Sequence, residues 1–198
     1  MARQSGTTKM ARRGGVCSER LTGVDVTLTP LTEDHFPLLV RWLNEPHVQA
    51  WWRDGTATTE SIRAKYGPRV GAESATECFV IEAGGVPVGL IQHYRHADYA
   101  EWDAAVGVPA AAGTDYLVGD PAYTGKGVGS AAIALAADRA LATYPDVACV
   151  VAVPQADNPA SRRALEKAGF RLQEIRDLDS DDPSDSGPGA IYVKDRPR

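Results

Sequence analysis

The sequence predicts one domain of mixed α/β class, and three observations predict it. Two β-rich runs, residues 76–83 and 86–94, flank Gly84-Gly85 as the arms of a hairpin. A strand-like run at 114–119 leads through a glycine-studded turn into a long helical pattern. A continuous apolar run at 147–153 precedes a helix that opens on Asn158-Pro159. With 198 residues the chain can bury a sizeable core, and no repeat or interdomain linker divides it.

The elements follow in order. Residues 1–23 are polar, locally basic and without periodicity, and read as a disordered tail or as an over-extended start upstream of Met10. The domain is expected over 24–198. Val24, Val26 and Leu28 alternate with Asp25, Thr27 and Thr29 as a half-buried strand. Thr32 or Asp34 caps a helix to about Leu43, with Phe36, Leu39, Val40 and Leu43 on one face. Asn44-Glu45-Pro46 breaks it, and a short helical piece ends in Trp51-Trp52. Thr58 or Thr59 caps a helix to Tyr66, stopped by Gly67-Pro68. The hairpin comes next, with Gly89 marking a bulge. Residues 95–113 read as a loop-rich excursion holding Trp102.

The strand at 114–119 then leads to a helix of about Gly127 to Tyr144, with Ile133, Ala137, Leu141 and Tyr144 as its core stripe. The apolar run 147–153 suits a buried sheet centre. Asn158 is the cap and Pro159 the first residue of a helix that buries Ala164, Leu165 and Ala168 and ends at Gly169. Phe170 opens a strand, an acidic loop follows, and a last strand lies around Ile191 to Val193.

Composition removes several function classes. Lys+Arg number 21 against 26 Asp+Glu, a net charge of −5, which argues against a general nucleic-acid binder. No apolar run approaches the length of a membrane helix, and no apolar signal core opens the chain, so a cytoplasmic protein is expected. Cys17, Cys78 and Cys149 are odd in number and widely spaced; neither a zinc site nor a disulfide framework is expected. Cys78 and Cys149 read as small buried hydrophobes. His35, His47, His93 and His96 show no metal pattern; none is assigned to catalysis, and His47 reads as structural.

The segment Asp120 to Ser130 carries the most chemistry. Gly125, Gly127 and Gly129 alternate between a strand and a helix, with Lys126 among them. Glycine lets backbone approach a phosphate, and the helix N-terminus adds free N–H groups and a positive dipole end. The spacing is neither that of a Walker loop nor of a dinucleotide fingerprint.

Thr124-Gly125-Lys126-Gly127-Val128-Gly129 resembles the [QR]-x-x-G-x-[GA] loop of the GNAT N-acetyltransferase superfamily, with Thr124 departing at the first position. Asn158 to Phe170 resembles the second half of that signature, N-x-x-[AS]-x-x-x-[YL]-E-K-x-G-F. The resemblance covers about residues 24–195. Within the superfamily, Trp42-Leu43-Asn44, His47 and Trp51-Trp52 are similar to a segment of the aminoglycoside 6′-N-acetyltransferases, as are Gly113-Thr114-Asp115 and Gly187-Pro188-Gly189-Ala190-Ile191-Tyr192. The family's tyrosine on the last helix is Leu165 here, and its acidic drug-holding positions are Ala50, Ala100 and Val153.

The resemblance implies a mixed, mostly antiparallel sheet flanked by helices, splayed at its centre to admit the pantetheine arm. It implies acetyl-CoA as co-substrate, held by Thr124, Gly125, Lys126, Gly127, Val128, Gly129, Ser130 and Asn158, with backbone groups of Val118 and Leu117 on the arm. It implies acetylation of a primary amine of a small cationic substrate, an aminoglycoside at its 6′-amine. A hydroxylysine-type siderophore precursor or another small amine is the alternative, and a non-catalytic acyl-CoA-binding module is a third reading. No metal, nucleic acid or membrane partner is implied; the chain is expected as a monomer or homodimer.

Amine acetylation needs an uncharged amine against a thioester carbonyl, yet an alkylammonium has a pKa of about 10. Asp115, at the start of the strand leading into the glycine loop, can hold the ammonium and accept its proton. A solvated strand-edge role is the alternative. Trp51, Trp52 and Trp102 are expected to line the acceptor pocket, with both Trp51 and Trp52 in the core as the alternative. The aspartates between Asp177 and Asp185 form a solvated loop or attract a polycation.

Overall fold

The computed structural model describes residues 18–19, 25–71, 74–180 and 182–197. Among the described residues eight strands form one sheet: β1 (Ser18–Glu19), β2 (Val26–Pro30), β3 (Thr76–Ala83), β4 (Val86–Arg95), β5 (Ala111–Val118), β6 (Cys149–Ala152), β7 (Arg171–Arg176) and β8 (Gly189–Asp195). Their order is β1-β2-β3-β4-β5-β6-β8-β7. Every pairing is antiparallel except the central one, β5 with β6. The mixed, mostly antiparallel sheet expected from the sequence is therefore present. The two-residue β1 falls inside the segment read as a tail. It pairs through backbone with Val26 and Thr27, and a pair of residues is too short to show a period. The rest of residues 1–23, Cys17 included, lies outside the described residues.

Helices α1 (Phe36–Leu43), α2 (Pro46–Gln49) and α3 (Thr59–Tyr66) carry the core of one face, where Phe36, Leu39, Trp42, Ile62 and Tyr66 meet Cys78, Val80, Leu90 and Leu117. Thr58 caps α3 by accepting from Ser61 N at 3.1 Å. On α1 the sequence placed Val40 in the core stripe; Val40 is only partly buried, and Trp42 takes the core place at 0% exposure. A Cβ on Gly119 would lie 2.0 Å from Trp42 Cγ, so the indole sits directly on backbone at the end of β5.

Helices α5 (Val128–Thr143) and α6 (Pro159–Lys167) cover the other face. The expected single stripe on α5 widens: Ala131, Ala132, Ala134, Leu135 and Ala136 are buried as well, because α5 meets the sheet on one side and α6 on another. The Asn158 carboxamide oxygen accepts from Ser161 N at 3.1 Å, and Pro159 opens α6 as expected.

Two boundaries differ from the sequence reading. The stretch 95–113 contains a one-turn helix (His96–Asp98) and then α4 (Ala100–Val106), which ends at Gly107 with φ 65°. Seven residues are too few to display a helical period. Strand β5 starts at Ala111, not at 114, since Ala111, Ala112 and Gly113 carry no β signal of their own and are recruited by β4 and β6. The expected β-bulge is present on β4: Gly89 pairs with Ile81 and Pro87 with Glu82, so the extra residue is Val88, next to Gly89. Gly89 itself is required by a close approach: its Cβ would lie 2.2 Å from the Leu117 carbonyl oxygen.

The course of β5 positions the site. Gly119 N donates to Val88 O at 2.8 Å, and Ala148 N donates to Ala110 O at 2.6 Å. Odd-numbered peptide groups of β5 therefore face β4 and even-numbered ones face β6. Pairing with β6 ends at Gly113 opposite Val151. Beyond it, the peptide groups of Tyr116 and Val118 have no strand opposite, and the sheet is splayed there. Side chains alternate across the same stretch, with Leu117 in the α1–α3 core and Tyr116 against the α5–α6 core.

His93 is fully buried between Phe79 and Tyr144, and neither ring nitrogen has a hydrogen-bond partner among the described residues. Burial, helped by the Arg139 cation, pushes its pKa down to about 4 from 6.5. Burial also lowers His96 to about 4, against the opposing charge of Asp103. Between these values the unfolded chain binds more protons, so stability is full above pH 6.5 and is lost as the pH falls toward 4. The loss for His93 is on the order of 3 kcal/mol. Urea titrations from pH 8 to pH 4 should show His93→Phe with a shallower decline than the native chain, His96 supplying the remainder; parallel declines would contradict this.

Candidate active site

One cavity of about 360 Å³ opens where the sheet splays. Trp51, Trp52, Trp102, Asp115 and Asn158, five residues singled out from sequence, all line it. Asp115 sits in the middle of β5 rather than at its start, directly opposite Gln92 of β4.

That register builds a short polar chain. Gln92 Nε2 donates to Asp115 Oδ2 at 2.8 Å. Its Oε1 accepts from Arg69 Nη1 at 2.8 Å. A guanidinium only donates, so Arg69 fixes which way the Gln92 amide points and leaves the NH₂ for the carboxylate. Arg69 is held over the Tyr66 ring, its Cζ 5.4 Å from the centroid. Burial pushes the Asp115 carboxyl above the ordinary carboxylate range. Hydrogen bonding from Gln92 opposes this, the negative charge of Asp185 adds to it, and Arg69 and Tyr94 oppose it more weakly. The solvated strand-edge alternative is thereby set aside. A carboxylate moved up in this way is a better proton acceptor than an exposed one.

The walls come from distant segments. Trp102 stands on α4, not on a loop, and packs against the core beneath that helix. Trp52 is shared between the cavity and the α1–α3 core, with Lys65 Nζ 5.8 Å from its ring centroid. The loop between β7 and β8 brings Ser180, Asp182, Ser184 and Asp185 to the rim. It is tied down by Arg53 N donating to Ser184 Oγ at 3.0 Å and by Gln155 Nε2 donating to the Ser184 carbonyl. Burial raises the Asp185 carboxyl, against a hydrogen bond from Ser180. Of the acidic run, Asp182 and Asp185 reach the cavity, Asp177 and Asp179 are exposed, and Asp181 lies outside the described residues.

The glycine loop lies apart from this cavity, at the far end of β5. Gly125 and Gly127 have φ of 70° and 84°, the left-handed region that favours glycine. Ala131 N is the first amide of α5 to bond back, to Gly127 O at 3.1 Å. Among the described residues the amides of Gly125, Lys126, Gly127, Val128, Gly129 and Ser130 have no acceptor. Thr124 spends its hydroxyl on the Pro121 carbonyl at 2.9 Å, and Lys126 Nζ lies 5.9 Å from the Tyr123 ring centroid.

Two expectations change, and the expected burial of Leu165 stands. Leu117 points its peptide groups at Leu90 and buries its side chain, so it has no free backbone group to offer at the splay. Val118 faces the splay, but its carbonyl is bonded to His47 Nε2 at 2.9 Å. That contact agrees with a structural His47. Leu165 is 0% exposed in the α5–α6 core and belongs to packing. Sequence reasoning missed Gln92, Arg69, Tyr94, Tyr116, Ser161 and Gln155, whose parts depend on register and tertiary approach. The one available signal was Gln92 itself, a polar residue at a buried position of an apolar strand. No group of three His, Cys, Asp or Glu suited to a metal occurs among the described residues, and no helix there is long and apolar enough to cross a membrane.

Comparison with known proteins bears on this arrangement. The crystal structure of aminoglycoside acetyltransferase AAC(6')-Ib in complex with coenzyme A is similar at 28% identity and a TM-score of 0.69, covering 86% of this chain and 95% of that one. The same enzyme with coenzyme A and kanamycin matches at 27% identity and a TM-score of 0.68, over 86% of this chain and 95% of that one. RimL, a ribosomal L7/L12 alpha-N-protein acetyltransferase in complex with coenzyme A, shares the fold at 17% identity, with a TM-score of 0.67 over 89% of this chain and 95% of that one. A family model described as an acetyltransferase (GNAT) domain matches residues 32–178, from the turn before α1 to just past the end of β7. The splayed sheet, the glycine loop at the head of α5 and this match together establish that the chain belongs to the GNAT acetyltransferases.

Proposed function

We propose that the chain transfers an acetyl group from acetyl-CoA to a primary amine of a small cationic substrate, an aminoglycoside at its 6′-amine. The observation that carries this reading is the Asp115 carboxylate, held by Gln92 inside a cavity walled by Trp51, Trp52 and Trp102 and rimmed by Asp182 and Asp185. The indoles offer flat faces to a ring-shaped, cationic acceptor. The rim carboxylates supply negative charge that Ala50, Ala100 and Val153 do not. Neighbours that act on aminoglycosides support the same substrate class.

Acetyl-CoA supplies an activated thioester. The free amides from Gly125 to Ser130 and the N-terminus of α5 suit its pyrophosphate, with Lys126 adding positive charge. Thr124 has both its N–H and its hydroxyl on the Pro121 carbonyl, so the donors to the pyrophosphate start at Gly125. The splay beside Tyr116 and Val118 suits the pantetheine arm, and Asn158 lines the cavity next to Ser161, whose N–H it caps. Asp115 orients the ammonium and takes its proton, leaving the lone pair free to attack.

A second reading rests on Lys65 and Arg69, which also line the cavity. They favour an acceptor bearing a carboxylate as well as an amine, as in a hydroxylysine-type precursor. Lys65 is already paired with Asp54 at 2.5 Å, which leaves Arg69 as the main cation and makes the aminoglycoside the better fit. Thiol release measured with a panel of kanamycin-like and lysine-like amines separates the two. The aminoglycosides should give kcat/KM at least ~10-fold higher, a difference of about 1.4 kcal/mol; the reverse order would favour the carboxylate-bearing acceptor.

Asp115→Asn should lower kcat by ~10²-fold or more through loss of the base. In the native chain the acid limb of the kcat/KM profile should lie above the ordinary carboxylate range, and the variant should lose that limb. An elevated KM with unchanged kcat would show a purely anchoring carboxylate.

Gly127→Val places a β-branched residue at φ 84° and brings bulk to the loop. Calorimetry should show acetyl-CoA affinity weakened by about 1–3 kcal/mol, with the fold intact by circular dichroism. Unchanged affinity would place the pyrophosphate elsewhere.

A further inference from the structure

Acetyl transfer leaves a thiolate, and the sulfur needs a proton. Leu165 has none to give and is sealed in the core. One helical turn earlier on α6, at i−4 on the same face, stands Ser161. Its Oγ lies 2.5 Å from the Tyr116 hydroxyl, which reaches it from β5 across the splay. The same phenol donates to the Ser161 carbonyl at 3.4 Å. Tyr116 is three residues past Gly113, where pairing with β6 stops, so its phenol stands beside the splay on the α6 side of the sheet. Tyr116, Ser161 and Asn158 line the cavity together with Asp115. Asp115 and Tyr116 are consecutive and point to opposite faces of the sheet, so an acyl group in the splay would have the carboxylate on one side and the phenol on the other.

We propose that Tyr116, positioned by Ser161, is the proton donor to the departing sulfur of coenzyme A, a role that Leu165 cannot fill. The inference rests on the acetyl-transfer reading above. The balance is as follows. The ammonium gives one proton to Asp115, and the neutral nitrogen attacks the thioester carbonyl. The C–N bond forms, and the C–S bond breaks with its electron pair going to sulfur. Tyr116 passes its hydroxyl proton to that sulfur while accepting one from Ser161 Oγ, and half-buried Ser161 is refilled from water. The nitrogen loses a second proton as the amide forms. Of the two protons lost by nitrogen, one is matched by the proton on sulfur and the other goes to solvent. Burial holds the Tyr116 phenol above its ordinary pKa of 10, so it is protonated throughout the working range. A phenol raised in this way releases its proton only in concert with its refilling, which is the part assigned to Ser161.

The test uses the full chain with coenzyme A and, as control, desulfo-coenzyme A. Titration of the bound thiol by thiolate absorbance needs no acceptor. A phenolic donor stabilises the thiolate, so Tyr116→Phe should raise the bound thiol's pKa by about one unit and weaken coenzyme A binding about 10-fold above that pKa. Desulfo-coenzyme A should bind the variant as it binds the native chain. With acceptor present, kcat should fall about 10-fold or more while KM for the amine holds. Ser161→Ala should shift the thiol pKa in the same direction, and Ser161→Thr should restore it. An unchanged thiol pKa in Tyr116→Phe, or equal loss of affinity for both ligands, overturns the proposal and leaves acetyl transfer standing. Absence of turnover with aminoglycosides alongside a shifted thiol pKa overturns the substrate assignment alone. Failure of the native chain to bind coenzyme A overturns both.

Discussion

Everything distinctive about this site depends on β5 outrunning its parallel partner. Three register pairs join β5 to β6, and the last is Gly113 with Val151. Past that point β5 keeps its full ladder to β4 but has an open edge on the other side. An unpaired edge inside a sheet exposes peptide groups that must find partners. His47 takes one of them, the Val118 carbonyl. The remaining edge is where the proposed pantetheine arm would bind. Packing holds the strand at either end of this region: Trp42 seats on Gly119, and the Tyr94 ring lies over Gly113, where a Cβ would come within 2.5 Å of it.

The second dependence is electrostatic. A carboxylate removed from water persists only if donors compensate it. Asp115 has one strong donor, Gln92, and that donor is oriented by Arg69 from the short turn after α3. The chain is neutral at its middle link, so it holds the carboxylate in place without supplying a full counter-charge next to it. A direct Arg–Asp pair would have pushed the carboxyl down and made it a weak base. The observed arrangement leaves the balance in favour of burial, and the carboxyl rises.

Local chemistry made much of the fold legible in the sequence. The Gly84-Gly85 hairpin, the Thr58 and Asn158 caps and the glycine loop each depend on residues adjacent in the chain, and each stands where expected. The helix α4 was hidden because it is shorter than a readable period, and the first three residues of β5 because sheet partners impose their conformation. At the site, Trp51, Trp52, Trp102, Asp115 and Asn158 were legible as residue types that suit the chemistry. Gln92 and Tyr116 were not, since their significance comes from which residue lies opposite in register and from a hydroxyl contact between residues 116 and 161. Leu165 was read as core from its pattern and as a missing acid from its resemblance; its complete burial reconciles the two.

The rim loop is attached in a particular way. Ser184 is bound through its own carbonyl and hydroxyl to Gln155 and to the peptide N–H of Arg53, while Gln155 also reaches the Trp51 carbonyl at 3.2 Å. These anchors are mostly main-chain groups, which every residue possesses. The two rim aspartates are fasteners as well: Asp182 accepts from Ser184 N at 2.8 Å and Asp185 from Ser180 Oγ at 2.6 Å. Charge over the mouth of the cavity and the turn of the loop are therefore one device. A lineage that exchanged these carboxylates would have to rebuild the turn with them, while β5 beneath stayed untouched.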